Sequence, residues 1–411
     1  MAITTVIVIA VAGACSGDND GDGAASTAGG ASSSATAAEV ATTAGAVTTA
    51  APTTEAVATT EAATTDVATT DAVTTDAVAT YPSTSDAPSA AGFAKVVPGG
   101  DCACSDGSEF SFWVREADPS KVVLFFQGGG ACFTAETCAT AAGSSTFKPT
   151  TDDSDDPSEA GGIFDVDNPE NPFTNYSVVF VPYCTADVHL GSNITEYSPD
   201  VTIQHKGFVN GSAALDHLVS TFPGSTELVV TGESAGSIPS PLFAGIASDR
   251  LPAADITVVG DGSGAYPENA GIAGLLDTVW GTTKAIPDWP ENEGLTAEQW
   301  SFLALYVQSG LHDPEITMAR HDYAFDEVQE FFAELSGIPA DQLDTLIDEN
   351  ERIIESRGVK LLTYLAPGTD HTVLSNDRFY AEEVEGVRLV DWVTDLVADE
   401  PVEDVHCTVC E

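Results

Sequence analysis

Basic residues are scarce in this chain. Across 411 residues, 13 Lys and Arg stand against 64 Asp and Glu, a formal charge of -51. A surface this acidic repels phosphate backbones, which excludes nucleic acid as a partner. It also disfavours docking on anionic lipid head groups. Long apolar runs are missing too. The longest near the N-terminus, residues 6–11, falls far short of the ~20 apolar residues that span a bilayer. Its length and the small residues after it are those of a cleavable export signal.

Lys and Arg are absent altogether before Lys95, and aromatic residues are almost absent from the same stretch. Ala, Thr, Ser, Gly and scattered Asp or Glu fill it, with a loose repeat at residues 69–73 and 74–78. Such a composition cannot bury enough apolar surface to offset its ordering entropy. Residues 16–92 are therefore expected to be a disordered linker. Residues 1–15 end in Ala12-Gly13-Ala14-Cys15, which is similar to the lipidation box of lipoproteins. The expectation is an exported protein, tethered to the cell surface by a lipid on Cys15 and touching the membrane only there. The remaining residues, 93–411, are expected to form one catalytic domain.

Within that domain short β-branched runs alternate with helical stretches, the pattern of βα units around a mostly parallel sheet. Strands are expected at residues 110–115, 122–126, 177–181, 228–231, 256–259 and 360–365. Helices are expected at 213–221, 238–248, 296–308, 323–335, 339–356 and 387–397. The sharpest local signal is Gly232-Glu233-Ser234-Ala235-Gly236, a G-x-S-x-G turn between the strand at 228–231 and the helix from 238. Small residues flank the serine because neighbouring backbone comes close in so tight a turn. This is the nucleophile turn of an α/β-hydrolase fold, a central mostly parallel sheet with helices on both faces, and it nominates Ser234 as nucleophile.

A serine hydroxyl needs a base to take its proton, and in this fold the acid and then the histidine follow the serine along the chain. His371 fits best, in a Pro-Gly loop just past the strand at 360–365. His406 reads as structural, and His312 and His321 read as surface residues. For the acid, Asp326 and Asp261 both fit, and spacing does not separate them. Asp322 and Asp370 read as solvated carboxylates. The glycines of residues 127–132, Gln-Gly-Gly-Gly-Ala-Cys, follow the strand at 122–126 and leave backbone N–H groups free to meet an oxyanion. With the N–H of Ala235, those of Gly129 and Gly130 are the candidate donors. A phosphate-binding loop is excluded, since no G-K-[ST] follows.

Taken together these stretches resemble the pectin acetylesterase/Notum family. The resemblance rests on residues 127–138 (QGGGACFTAETC), 181–189 (VPYCTADVH), 207–218, the turn at 232–236, 325–329 (FDEVQ) and 368–371 (GTDH). It covers nearly all of the domain. The resemblance implies an α/β-hydrolase, selects Asp326 as the acid and implies hydrolysis of an acyl ester, with O-acetyl groups on a polysaccharide as the leading substrate. Electrostatic steering of a polyanion such as pectin toward so acidic a protein is unfavourable at low salt. The alternatives are a lipid or protein deacylase, which needs a deep apolar pocket, and an inactive carbohydrate-binding protein. The chemistry implies neither cofactor nor metal, and the oligomeric state is left open.

Cysteines complete the expectations. Cys132 and Cys138, six apart, are expected to bridge the oxyanion loop. Cys102 and Cys104 open the domain and Cys407 and Cys410 close it, so pairing across the domain is one reading and a four-thiolate zinc site another. Cys184 is then left over.

Overall fold

A computed structural model describes residues 92–139 and 146–410. The signal segment with Cys15, and residues 16–91 of the linker, lie outside the described residues. The strands, in chain order, are β1 (Phe93–Val96), β2 (Phe112–Arg115), β3 (Asp118–Phe126), β4 (Tyr176–Val181), β5 (Asn193–Ser198), β6 (Val201–His205), β7 (Glu227–Glu233), β8 (Asp255–Asp261), β9 (Thr317–Tyr323), β10 (Leu362–Ala366), β11 (Glu383–Val384), β12 (Val387–Arg388) and β13 (Val405–His406). Nine of them form one sheet in the order β1-β2-β4-β3-β7-β8-β9-β10-β13. The first two pairings, β1 with β2 and β2 with β4, are antiparallel. All later ones are parallel. The helices are α1 (Ala135–Cys138), α2 (Gly207–Thr221), α3 (Ser240–Arg250), α4 (Ala270–Trp280), α5 (Phe302–His312), α6 (Glu327–Leu335), α7 (Leu343–Ser356), α8 (Arg378–Ala381) and α9 (Leu389–Val397). This is the α/β-hydrolase-like architecture expected from the sequence. Among the described residues no helix is long and apolar enough to cross a membrane.

The run Val-Val-Leu-Phe-Phe in β3 explains why the sheet is covered on both sides. Side chains alternate between faces along a strand, so a strand covered on both sides is apolar throughout. Val122, Leu124 and Phe126 join one core with Leu215 of α2, Phe243 of α3, Leu303 of α5 and Ile354 of α7. Val123 and Phe125 join the other, with Phe379 of α8 and Trp392 of α9. Both cores reach across β7 and β8, which holds the ends of these strands in fixed register.

Several elements were not expected, β9 and α4 among them. β9 reads Thr-Met-Ala-Arg-His-Asp-Tyr and has no apolar run, yet Arg320, His321 and Asp322 are buried within it. Arg320 and Asp322 pair with each other, and His321 meets Asp261 of β8, which an apolar strand pattern does not reveal. α4 begins where the side chain of Asn269 accepts the Ile272 N–H, and it ends at Gly281 in a left-handed conformation. The helix expected at 296–308 is instead a 3-10 turn at Ala297–Gln299 followed by α5, which Ser301 caps. The stretch 323–335 is likewise split. Tyr323 closes β9, and Asp326 caps α6 by accepting the N–H groups of Val328 and Gln329.

The disulfides correct the expected pairing. Cys104 joins Cys184, Cys132 joins Cys138 and Cys407 joins Cys410. Among the described residues the free cysteine is Cys102, not Cys184. The sheet order gives the reason. β13, just before Cys407, lies at one edge, whereas β1 and β2, which flank Cys102 and Cys104, lie at the other. Nine strands at ~4.8 Å spacing set these edges on the order of 35 Å apart, against the ~7 Å limit between bridged Cα atoms. The same separation rules out a zinc site shared by the two ends. Locally, the Ser105 N–H donates to the Cys184 carbonyl at 2.9 Å and brings Cys104 to its partner.

Candidate active site

Ser234 stands at the C-terminal end of β7, in the turn into α3. Its φ is 54°, a left-handed conformation that a non-glycine residue adopts at a cost of about 1–3 kcal/mol. Close approach explains the glycines around it. A Cβ on Gly236 would lie 2.0 Å from the Phe126 carbonyl oxygen, and one on Gly232 would lie 2.4 Å from that of Gly236. The turn is therefore pressed against the end of β3, where the glycine loop begins. Gly128 faces it so closely that an added Cβ would come within 2.9 Å of Ser234 Cβ.

The glycine loop is held from below. The Gln127 carbonyl accepts from His189 Nε2 at 2.9 Å, and Gln127 Oε1 accepts the Tyr183 N–H at 3.0 Å. Burial pushes the His189 pKa down to about 4, so the ring is neutral and supplies a single N–H. Asp187 takes the Gly207 N–H and the Thr185 hydroxyl, and burial pushes it up to about 7. Ala186, Val188 and His189 all have positive φ, so this support is itself a strained turn. Gly129 and Gly130 have φ of 150° and 78°. Among the described residues no acceptor takes their N–H groups. Gly130 and Ala235 line the same pocket as Ser234.

His371 sits in the loop after β10, and its Nδ1–H donates to Asp326 Oδ2 at 2.6 Å. Asp326 is fully buried, and its other oxygen caps α6. His371 Nε2 is buried and makes no hydrogen bond, so it does not bond the Ser234 hydroxyl in this state. Such contacts are often long before substrate arrives. Burial by itself lowers the His371 pKa. The hydrogen bond and charge of Asp326, with the charges of Asp261 and Glu233, outweigh it and raise the pKa above 6.5.

Asp261, the other acid considered from spacing, does not touch His371. Its Oδ1 accepts from His321 Nδ1 at 2.8 Å, and its Oδ2 takes the N–H groups of Val373 and Leu374. His321 is thus no surface residue: it is fully buried in β9. Nor is Asp322 solvated, since it is buried against Arg320 at 2.6 Å. His312 stacks on Trp289, His406 meets the Thr363 hydroxyl, and Asp370 is exposed and pairs with Arg378. Glu233 turns away from Ser234 and accepts from the Ser375 hydroxyl at 2.6 Å. Burial pushes its carboxyl up to about 7, with the charge of Asp261 adding to the rise. Three carboxylates, from the ends of β7 and β8 and the start of α6, therefore hold the His371 loop at four successive points.

Beside Ser234 opens a pocket. Its wall is apolar and aromatic, including Phe133, Ile272, Leu276, Trp280, Trp300 and Phe332. These residues come from four separate stretches, and sequence patterns did not mark them. Trp280 Nε1 donates to the Cys132 carbonyl at 2.8 Å, which fixes one wall to the glycine loop.

Residues 95–277 match the Pectinacetylesterase family model. The chain is 27% identical over 189 residues to Pectin acetylesterase 4 of Arabidopsis thaliana, covering 44% of this chain and 43% of that protein. It is 29% identical over 140 residues to the palmitoleoyl-protein carboxylesterase NOTUM of Mus musculus, covering 32% and 27%. Each of these matches spans less than half of the curated relative. Among solved structures, the Wnt deacylase Notum from Drosophila superposes with a TM-score of 0.56 at 18% identity, covering 76% of this chain and 95% of that one. That likeness is one of fold.

Proposed function

This chain belongs to the pectin acetylesterase family, and from that premise we propose that it is a serine carboxylesterase working through Ser234, His371 and Asp326. His371 Nε2 takes the proton as Ser234 Oγ attacks the ester carbonyl. The tetrahedral oxyanion forms against the N–H groups of Gly129, Gly130 and Ala235. Collapse releases the alcohol, which receives the proton from His371, and leaves an acyl group on Ser234. Water activated by the same imidazole then frees the acid. Asp326 holds the Nδ1–H tautomer and stabilises the imidazolium. The observation that carries this reading is the 2.6 Å pairing of His371 with a buried carboxylate, on a loop that Ser375 ties to Glu233, the residue before the strained Ser234.

The pocket also bears on the acyl group. The O-acetyl substrate implied by resemblance would leave most of an aromatic wall unused. A longer acyl chain would bury methylenes there at about 0.8 kcal/mol each, or roughly fourfold in kcat/KM per carbon. The deacylase reading is therefore preferred over acetyl removal from a polysaccharide. The three disulfides suit an oxidising compartment. Export, a domain tethered by residues 16–92 and a lipid on Cys15 remain part of the proposal.

Two measurements test it. A fluorophosphonate should label the peptide containing Ser234, and Ser234→Ala should abolish labelling. A nitrophenyl ester series from acetyl to dodecanoyl, run beside acetylated glycans, should show turnover rising with chain length. Turnover confined to acetyl esters would reverse the acyl preference. A wild-type chain that neither labels nor hydrolyses any ester would overturn the esterase itself.

A further inference from the structure

Below the His371–Asp326 pair lies a closed polar cluster that the reaction scheme does not use. Gln329, on the first turn of α6, is fully buried. Its Nε2 donates to Asp326 Oδ2 at 3.0 Å and to Asp322 Oδ1 at 3.0 Å. Its Oε1 accepts the Ala265 N–H at 2.9 Å. Asp322 takes the Gly264 N–H at 2.7 Å and Arg320 Nε at 2.6 Å. Arg320 reaches on to Asn350, whose Nδ2 donates to the Tyr266 carbonyl. Every hydrogen-bonding atom of the Gln329 amide is thus committed, and both N–H groups face carboxylates.

We propose that Gln329 is a positioning residue for the proton relay: its amide clamps Asp326 and Asp322 together and keeps Asp326 Oδ2 aimed at His371. This rests on the reading of Ser234, His371 and Asp326 given above. The chemistry demands an amide. Two buried carboxylates without a donor between them repel one another, and only one of them has a cationic partner, Arg320. A Lys or Arg at 329 would neutralise Asp326 and weaken its hold on the imidazolium. A carboxylate would add a third negative charge. The amide supplies two donors, carries no charge and exchanges no proton. Its carbonyl also ties the relay to residues 264–267, where Tyr266 and Pro267 wall the pocket. Gly264 leaves the room this needs, because a Cβ there would lie 2.3 Å from Asp322 Oδ2.

The test compares two variants by the rate at which a fluorophosphonate labels Ser234, each taken as a ratio to wild type at the same pH. Gln329→Met keeps the volume and removes the donors, and labelling should slow by about tenfold or more at every pH. Gln329→Glu mimics the amide while protonated, with one O–H donor and one carbonyl acceptor. Once ionised it faces Asp322 and Asp326 with no donor between them. Its ratio should stay within about threefold of one near pH 5.5 and fall by about tenfold or more toward pH 9. A side chain that merely fills space would give a ratio independent of pH. A flat Gln329→Glu ratio, or Gln329→Met within twofold of wild type, would overturn the inference while leaving the esterase reading intact. Unlabelled wild type would sink that reading, and the inference with it. If Gln329→Met does not fold, judged by circular dichroism, Gln329→Glu decides alone, since its acid form is isosteric with the native residue.

Discussion

Two His–Asp pairs lie at the same end of the sheet. His371 with Asp326 and His321 with Asp261 have nearly equal geometry, Nδ1 to carboxylate at 2.6 and 2.8 Å. Their surroundings differ. The His371 side chain is 21% exposed, while His321 and Asp261 are at 0%. Asp261 spends its second oxygen on two backbone N–H groups of the His371 loop. Asp326 spends its own on capping α6. A His–Asp pair is therefore not in itself a proton relay. Exposure separates the two: the His371 ring is partly open, and the His321 ring is sealed between Tyr323 and Tyr364. The sealed pair works as scaffolding for the open one.

Substitution at the two histidines should separate the pairs most widely. His371→Ala is expected to cut ester turnover by about 10^4-fold or more, with the fold kept. His321→Ala should keep most of the turnover per folded molecule but lose about 2–4 kcal/mol of stability, since it leaves Asp261 short of a partner beside a cavity. Denaturant titration and initial rates on the same preparations read both effects. Equal loss of turnover in the two variants would erase the distinction.

The acids should follow, with smaller effects. Asp326→Asn is expected to lower kcat by about 10^3- to 10^4-fold, through the wrong imidazole tautomer. Asp261→Asn should cost about tenfold, because it loosens the His371 loop rather than the imidazole itself. A larger loss for Asp261→Asn would reassign the acid.

The pH profile sharpens the comparison further. His371 must be neutral to accept a proton, and its pKa is raised above 6.5. The rate should therefore climb as pH rises through a value above 6.5, and fall away below it. Asp326→Asn removes the charge that favours the imidazolium, so the same limb should move to lower pH. Asp261→Asn should move it the same way by less. The smallest effect belongs to Ser375→Ala, which removes one of the ties on the loop and should cost about two- to fivefold in kcat. It also frees the Glu233 carboxyl, whose pKa should rise further once that hydrogen bond is gone.

Much of the polar side of this site was open to reading. The G-x-S-x-G turn, the glycine loop and the histidine after a Pro-Gly loop each sit on a single short stretch. Their chemistry demands particular residue types at fixed local spacing, so Ser234, Gly129, Gly130, Ala235 and His371 could be nominated as candidates before the fold was seen. The strands carrying them were legible because sheet burial on both faces leaves uninterrupted apolar runs, as in β3 and β4. β9 was not, because Arg320, His321 and Asp322 interrupt any apolar run, and only the fold shows that the first and last pair with each other while His321 meets Asp261.

Local spacing could not choose between Asp326 and Asp261, because both follow a strand and both meet an imidazole. Only the folded arrangement shows that they meet different ones. The cysteine pairing was decided the same way, by which edge of the sheet each cysteine occupies. The aromatic pocket belongs wholly to the tertiary structure. Phe133, Leu276, Trp300 and Phe332 are ordinary apolar residues in their own elements, and only packing turns them toward one cavity. Chemistry within a few residues is written in residue types, whereas shape arises from contacts between distant segments that no local pattern encodes.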